Sequence, residues 1–158
     1  MTHSITTKGL YLAAAFAIAM TNFTNCSDKE AAGYIGQSDI AVEDGKMTPE
    51  VMLSLGRLSD PQLSPDGKTI LYGVSYTSVP DNRSCRNLFL INADGTCRRQ
   101  LTREGSSISC ARWTDGGRGI MYIQKGQLRK ATVRGLSGNS PKLVKKTVIS
   151  DIPAGISE

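Results

Sequence analysis

The sequence predicts an all-β fold: a partial β-propeller of about two four-stranded antiparallel blades, preceded by a signal segment and a short helix. The main observation is an internal repeat, because residues 61–72 return in weaker form fifty residues later as residues 111–122. In both copies a tight turn precedes an apolar strand. A repeat of about 40 to 50 residues with this order is typical of propeller blades.

The turns of the repeat have distinct sequences. Ser-Pro-Asp-Gly in the first copy suits a type I turn, because proline fixes φ at the second corner and glycine closes the turn. The second copy keeps the turn without the proline. Between them, an Asp-Gly pair permits the positive φ angles of a tight hairpin. The predicted turn residues are Ser64, Pro65, Asp66, Gly67, Asp94, Gly95, Asp115, Gly116 and Gly117.

The strands follow from period-2 alternation. In the first unit, Ile70, Tyr72, Val74 and Tyr76 alternate with residues of the other face. The next strand, residues 87–91, is apolar on both faces, as expected for a blade between two neighbours. The remaining strands are predicted at residues 98–102 of the first unit and at residues 111–114, 119–124, 127–133 and 142–149 of the second.

These elements divide the chain of 158 residues into segments. The helix before the first blade has Thr48 as its N-cap, Pro49 in its first turn and Gly56 as its stop signal. Because propellers close with about four to eight blades, we expect this chain to be a fragment of a longer protein. The segments are 1–26, a signal peptide; 27–46, a linker that suits a tether or an arm; 47–60, the helix and lead-in; 61–110 and 111–149, the two blades; and 150–158, the start of a third.

The N-terminus predicts export. Lys8 precedes an apolar run of eleven residues, 10–20, which is too short to span a bilayer and suits the core of a signal peptide. Two processing routes remain open: cleavage after the small residues of 17–19, or lipidation of Cys26 as in bacterial lipoproteins. Residues 27–30 resemble the tags of surface lipoproteins in the Bacteroides group. We therefore expect a location in the periplasm or on the outer membrane or cell surface of a Gram-negative bacterium, with Cys26 as a candidate membrane anchor.

Residues 47–50, 57–68 and 88–95 resemble the start of the propeller domain in secreted bacterial peptidases of the prolyl oligopeptidase family. This family includes acylaminoacyl-peptidase and dipeptidyl-peptidase branches, and the resemblance covers residues 47–149. The Ser-Pro-Asp-Gly turn is shared with the periplasmic propellers associated with the Tol-Pal system, whereas the helix before the first blade favours the peptidases. The alternative function is therefore a non-enzymatic scaffold that binds a protein partner.

The resemblance implies a two-domain serine exopeptidase whose propeller restricts access to a separate α/β-hydrolase domain, where peptide substrates would bind. The catalytic elbow Gly-x-Ser-x-Gly is absent, since residues 135–139, around Ser137, lack the final glycine. The only histidine is His3, in the signal segment. We assign no catalytic residue, and we predict that this chain alone is inactive.

The remaining composition excludes other classes of site. Cys85, Cys97 and Cys110 have neither the close spacing nor the partner histidines of a zinc site, so we assign no metal and no cofactor. One disulfide among these cysteines is open, although free thiols are favoured. The net charge of +5 falls to +4 without residues 1–26, and basic pairs such as Arg98-Arg99 fit solvated faces and edge protection. We expect no nucleic-acid binding, but self-association through exposed blade edges.

Overall fold

The computed structural model describes residues 32–42, 44–153 and 155–156. Within these residues the chain forms a short helix and two antiparallel sheets of four strands each, in which the strands pair in chain order. The elements are α1, Pro49–Ser54; β1, Arg57–Leu63; β2, Thr69–Ser78; β3, Arg83–Asn92; β4, Arg99–Gln100; β5, Ile108–Thr114; β6, Gly119–Gln124; β7, Gln127–Arg134; and β8, Lys142–Val148. This confirms the all-β prediction, and the arrangement is consistent with two propeller blades.

The two sheets pack face to face around one apolar cluster, the inter-sheet core. The first sheet contributes leucines and the second contributes Ile120 and Tyr122, which are at most 1% exposed. Burial of each such side chain stabilises the fold by about 1.5–3 kcal/mol. The inter-sheet core consists of Leu71, Leu88, Leu90, Leu101, Ile108, Ala111, Ile120, Tyr122, Ala131 and Val133.

The first sheet is also buried on its other face. There, Tyr72 stacks on Phe89 with ring centroids 5.8 Å apart, and Val74 and Tyr76 pack beside them. Leu88 and Leu90 point into the inter-sheet core while Phe89 belongs to this second cluster. The prediction that this strand is apolar on both faces is therefore confirmed.

Residues 32–42, the N-terminal arm, cross this second face without forming a helix or strand. Ile35 is buried against the aromatic cluster. The Arg83 guanidinium donates to the Gly33 carbonyl at 2.8 Å, and the Gln100 amide donates to the Tyr34 hydroxyl at 2.9 Å. Of the two expectations for this segment, the described residues match an arm laid against a sheet.

Helix α1 begins as predicted, because the Thr48 hydroxyl accepts a hydrogen bond from the Val51 amide at 3.3 Å. Its end differs from the prediction. The chain leaves the helix at Leu55, in an extended conformation, before it reaches Gly56. A Cβ on Gly56 would lie 2.7 Å from Tyr76 and 2.8 Å from Val74. Glycine is needed there for close packing on β2 rather than for a left-handed stop.

The Ser-Pro-Asp-Gly turn forms as predicted. The Gly67 amide donates to the Ser64 carbonyl at 2.9 Å. The Ser64 hydroxyl donates to the Asp66 carboxylate at 2.6 Å and accepts from the Thr69 amide at 2.9 Å, so the side chain at the first corner ties both ends of the turn.

The other two turns differ in geometry from the prediction. Asp115, Gly116 and Gly117 all have positive φ, of 53°, 65° and 89°, so the second copy is a left-handed version of the turn. Loss of the proline removes the restriction that imposes negative φ. In the hairpin between β3 and β4, Gly95 has a φ of 85°, whereas Asp94 does not have positive φ.

Strand β4 is shorter than the predicted strand 98–102, because the regular backbone pairing ends after Gln100: the Leu101 and Thr102 amides both donate to the Leu88 carbonyl, at 2.9 and 3.3 Å. The Thr102 hydroxyl accepts from the Leu88 amide at 2.9 Å and donates to the Asn87 side-chain carbonyl at 2.9 Å. That carbonyl also accepts from the Glu104 amide at 2.8 Å, and the Asn87 amide donates back to the Glu104 carbonyl at 3.3 Å. We call residues 101–104 the first connector, since they carry the chain to the second sheet.

Candidate functional site at the turn end of the sheets

The turns of both units meet at one end of the sheets and line a cleft of about 680 Å³. Of the predicted turn residues, the structure brings six together on its walls: Ser64, Asp66, Gly67, Asp94, Gly116 and Gly117. Pro65 packs close by, since a Cβ on Gly117 would lie 3.3 Å from its ring. Gly95 and Asp115 are not on the walls of the cleft.

A buried arginine, Arg99, closes one side of this cleft. Its guanidinium donates to the Asn92 side-chain oxygen at 2.8 Å and to the Cys97 carbonyl at 3.0 Å, both in the hairpin of the first sheet. It also donates to the carbonyls of Leu136 and of Gly138, the latter at 3.1 Å, in the loop between β7 and β8. Arg99 therefore joins the outer loops of the two sheets.

The interpretation of Arg98-Arg99 as a solvated, edge-protecting pair is wrong for Arg99, whereas Arg98 is exposed. Arg99 is 8% exposed, and the Arg98 guanidinium lies 5.2 Å from the centre of the Phe89 ring. Arginine suits both positions, because its planar fork can satisfy several carbonyls at once and can stack on an aromatic ring. Sequence reasoning missed this because the acceptors on the second sheet lie 37 and 39 residues away.

The first strands of the two sheets, β1 and β5, are joined by a second polar group, Asp60. Its carboxylate accepts from the Arg112 guanidinium of β5 at 2.7 Å and from the Gln62 amide at 3.0 Å, and lies 3.8 Å from Arg86 of β3. The Arg86 guanidinium lies across Gly73, where any Cβ would collide with it. Asp60 thereby links the first sheet to the second.

The pKa of Asp60 lies below its ordinary value. Burial opposes ionisation, but hydrogen bonds from Arg112 and Gln62 and the charges of Arg112 and Arg86 outweigh it. Asp60 stands at a β-bulge with a φ of 51°, and Cys110, fifty residues later, stands at the matching bulge with a φ of 48°. The only trace of this in the sequence is a serine before each bulge, Ser59 and Ser109.

The cleft has polar side chains but lacks the groups for acyl transfer. Ser137 lies on its wall, in a loop whose turn is closed by a 3.0 Å bond from the Gly138 amide to the Gly135 carbonyl. No histidine occurs in the described part of the chain to act as its base. The carboxylates of Asp66 and Asp94 accept hydrogen bonds from Ser64 and Thr96 respectively, which lower their pKa values and keep them ionised. The polar side chains of the cleft can bind a ligand, but the described residues do not supply a nucleophile paired with a base.

The cysteines of the two sheets are free thiols. Cys85 is buried, burial raises its pKa, and its Sγ donates to the Glu104 carbonyl at 3.2 Å. Among the residues that the structure describes, no three metal-binding side chains cluster, and no helix has the length and apolar character needed to span a membrane. Cys26 lies outside the described residues.

Two curated proteins are similar to this chain. Dipeptidyl-peptidase 5 of Porphyromonas endodontalis is 31% identical over 117 residues, which are 73% of this chain and 16% of that protein. Dipeptidyl-peptidase 5 of Porphyromonas gingivalis is 37% identical over 98 residues, 59% of this chain and 14% of that protein. The matches thus span about one sixth of the relatives' length. No protein-family model matches the chain.

Proposed function

We propose that this chain is the propeller portion of an exported dipeptidyl peptidase, in which it restricts substrate access and packs against a separate catalytic domain. The observation that carries the proposal is the 31% identity to a dipeptidyl-peptidase over 73% of the chain. The two repeated sheets support it, because they supply a scaffold with a cleft and no catalytic constellation in the described residues. Peptide hydrolysis then belongs to a hydrolase domain outside these residues.

The role in access rests on the cleft between the sheets. Arg99 holds the outer loops together and Asp60 joins the first strands, so the two sheets behave as one wall. Two sheets held together in this way restrict access to the catalytic domain: folded chains and long peptides are kept out, and short peptides enter. Loosening one of its ties is expected to change which substrates are cleaved.

The test compares this chain with the product of the whole reading frame that contains it. We expect the longer protein to react with a fluorophosphonate probe and to release chromophore from dipeptidyl anilides, whereas the 158-residue chain does neither. In the longer protein, Arg99→Ala should raise cleavage of long peptides relative to dipeptidyl anilides, with Arg134→Ala, on an exposed strand end, as control.

Labelling of a serine in the 158-residue chain, or a longer product without peptidase activity, would overturn the proposal. The latter result would instead support the scaffold function. If Arg99→Ala leaves the ratio of long-peptide cleavage to dipeptidyl-anilide cleavage unchanged, the gating role is excluded. The assignment to a dipeptidyl peptidase is not affected by that result.

We further propose that Cys26 carries the lipid anchor of the exported protein. It follows the apolar run 10–20 and precedes the tag-like residues 27–30. In cells fed a clickable palmitate analogue, the protein should be labelled and should fractionate with membranes. Cys26→Ser should abolish both, whereas Cys97→Ser should change neither; persistent labelling of Cys26→Ser would contradict the anchor.

A further inference from the structure

Charge is distributed unevenly along the chain. Residues 116–150, which include β6, β7 and β8, contain eight basic residues and no acidic one. The first sheet is more balanced, since residues 57–107 contain seven basic and five acidic residues. Repulsion between like charges disfavours such an excess in a folded unit. Its concentration in the second sheet therefore indicates a surface that meets negative charge.

Ion pairs within the described residues neutralise only part of this charge. Lys130 is paired with Asp115 at 2.9 Å, and Lys146 with Glu104 at 2.6 Å. The two lysine side chains nevertheless remain 44% and 41% exposed. Both ammonium groups can therefore contribute to the potential at the surface of the sheet.

Much of the excess lies along the free edge of the second sheet. Strand β8 is the last of the four, so it pairs only with β7 and its other side is open. Lys142, Lys145 and Lys146 are exposed along this strand, and the exposed Arg134 lies opposite Lys142 on β7. We call these four residues the basic edge. Its three lysines lie within about 13 Å of strand.

The geometry of β8 opposes the addition of another strand to this edge. The pairing of β7 with β8 shifts register between Lys130 and Thr132, and Lys145 of β8 has a φ of 51°. Such an irregularity bends a strand and interrupts the row of amide and carbonyl groups that an added strand needs, and edge lysines further disfavour pairing. The basic edge is therefore suited to contacts made by side chains.

Exposed aliphatic side chains continue the basic edge where β8 ends. Val148 is 48% exposed and Ile149 is 51% exposed. The sheet does not present an aromatic platform for nucleic-acid bases, because Tyr122 is buried and Trp113 packs against the inter-sheet core. Lysines beside exposed aliphatic groups suit an anionic lipid surface, where charge attracts the headgroups and the apolar groups enter the interface.

We propose that the basic edge, together with Val148 and Ile149, binds a membrane surface that contains anionic phospholipids. The contact requires neither peptidase activity nor a lipid on Cys26, so it goes beyond the proposed function and is tested separately from it. Each lysine at such a surface contributes about fivefold to the partition coefficient at low salt. Added salt weakens this contribution because ions screen the charges.

The test measures binding of the 158-residue chain to vesicles by flotation, with Cys26→Ser in every protein so that no lipid is attached. The vesicles contain phosphatidylcholine alone or an equal mixture with phosphatidylglycerol. At about 0.01 M salt, we expect partition into the mixed vesicles to exceed partition into the neutral ones at least tenfold, and in about 1 M salt this ratio should fall close to one. Residues 1–26 are otherwise unchanged, so their contribution to binding cancels between variants.

Two double variants separate the basic edge from net charge. Lys142→Gln with Lys145→Gln should lower partition into the mixed vesicles about 25-fold at low salt. Lys46→Gln with Lys68→Gln removes the same charge from exposed positions outside the second sheet, and should lower partition less than about twofold. All four side chains are exposed, so the unfolding midpoints should stay close to that of the parent chain.

Equal losses in the two double variants would show that net charge alone attracts the chain to the vesicles. Equal partition into neutral and mixed vesicles would show that anionic headgroups are not recognised. Either result would overturn the inference, as would tighter binding of a single-stranded oligonucleotide than of the mixed vesicles at the same phosphate concentration. Peptidase activity of the longer protein, present or absent, changes none of these measurements.

Discussion

Asp60 and Arg99 link the two sheets from opposite edges of the first one, since Asp60 lies on β1 and Arg99 on β4. Each satisfies several polar groups with one side chain: Asp60 accepts from Gln62 and Arg112, and Arg99 donates to loops of both sheets. Because partly buried charges are stabilising only when they are well hydrogen-bonded, these two side chains favour the relative placement of the sheets in which all their bonds are made.

The lowered pKa of Asp60 predicts a specific pH dependence. A carboxyl whose pKa is lower in the folded protein contributes stability above its unfolded pKa, near 3.9, and that contribution is lost as pH falls through the folded value. Asp60→Asn should therefore lower the free energy of unfolding by about 1–2 kcal/mol at pH 7, and the difference from the wild type should shrink steadily as pH falls below about 4. Urea unfolding from pH 3 to pH 7 measures this.

The control for this series is Asp151→Asn, an exposed carboxyl outside the cluster. It should track the wild type throughout the pH range. A destabilisation by Asp60→Asn that is the same at pH 3 and pH 7 would show that the charge of Asp60 contributes nothing.

Elements were predictable wherever a local pattern specifies them. Strand β6, Gly119–Gln124, was predicted with its observed bounds because it lies between two glycine turns and alternates cleanly. The fourth strand of the first sheet is predicted too long, since beyond Gln100 the Leu101 and Thr102 amides share the Leu88 carbonyl while the Thr102 hydroxyl accepts from the Leu88 amide. Such an irregular end depends on contacts across the sheet, which periodicity does not report.

Helix α1 illustrates the same limit and yields a prediction. Gly56→Ala would bring a Cβ within 3 Å of Val74 and Tyr76, so we expect it to lower the free energy of unfolding by about 1–3 kcal/mol. Gly138→Ala is the matched control, because its Cβ would meet only a carbonyl oxygen 3.6 Å away and its φ is not positive. Equal effects of the two changes on urea unfolding would contradict the packing role of Gly56.

For the whole molecule, the repeat of the Asp-Gly turn was enough to predict two four-stranded units, because each unit is specified by local turns and alternation. The cleft was not predicted as a site, although most of its turn residues were named. Its walls are joined by contacts between distant parts of the chain, namely the bonds of Arg99 to the carbonyls of Leu136 and Gly138. Because the bonded groups lie 37 and 39 residues apart in the chain, local sequence patterns do not indicate such pairs.

The bonds of Arg99 have a consequence for synthesis on the ribosome. Two of its acceptors, the carbonyls of Leu136 and Gly138, belong to a loop that is translated well after the first sheet. Until that loop has left the exit tunnel, the guanidinium is only partly bonded and the leucines of the first sheet lack their cover. The first sheet therefore gains the full set of Arg99 bonds and the cover of its leucines only after the second sheet has been translated.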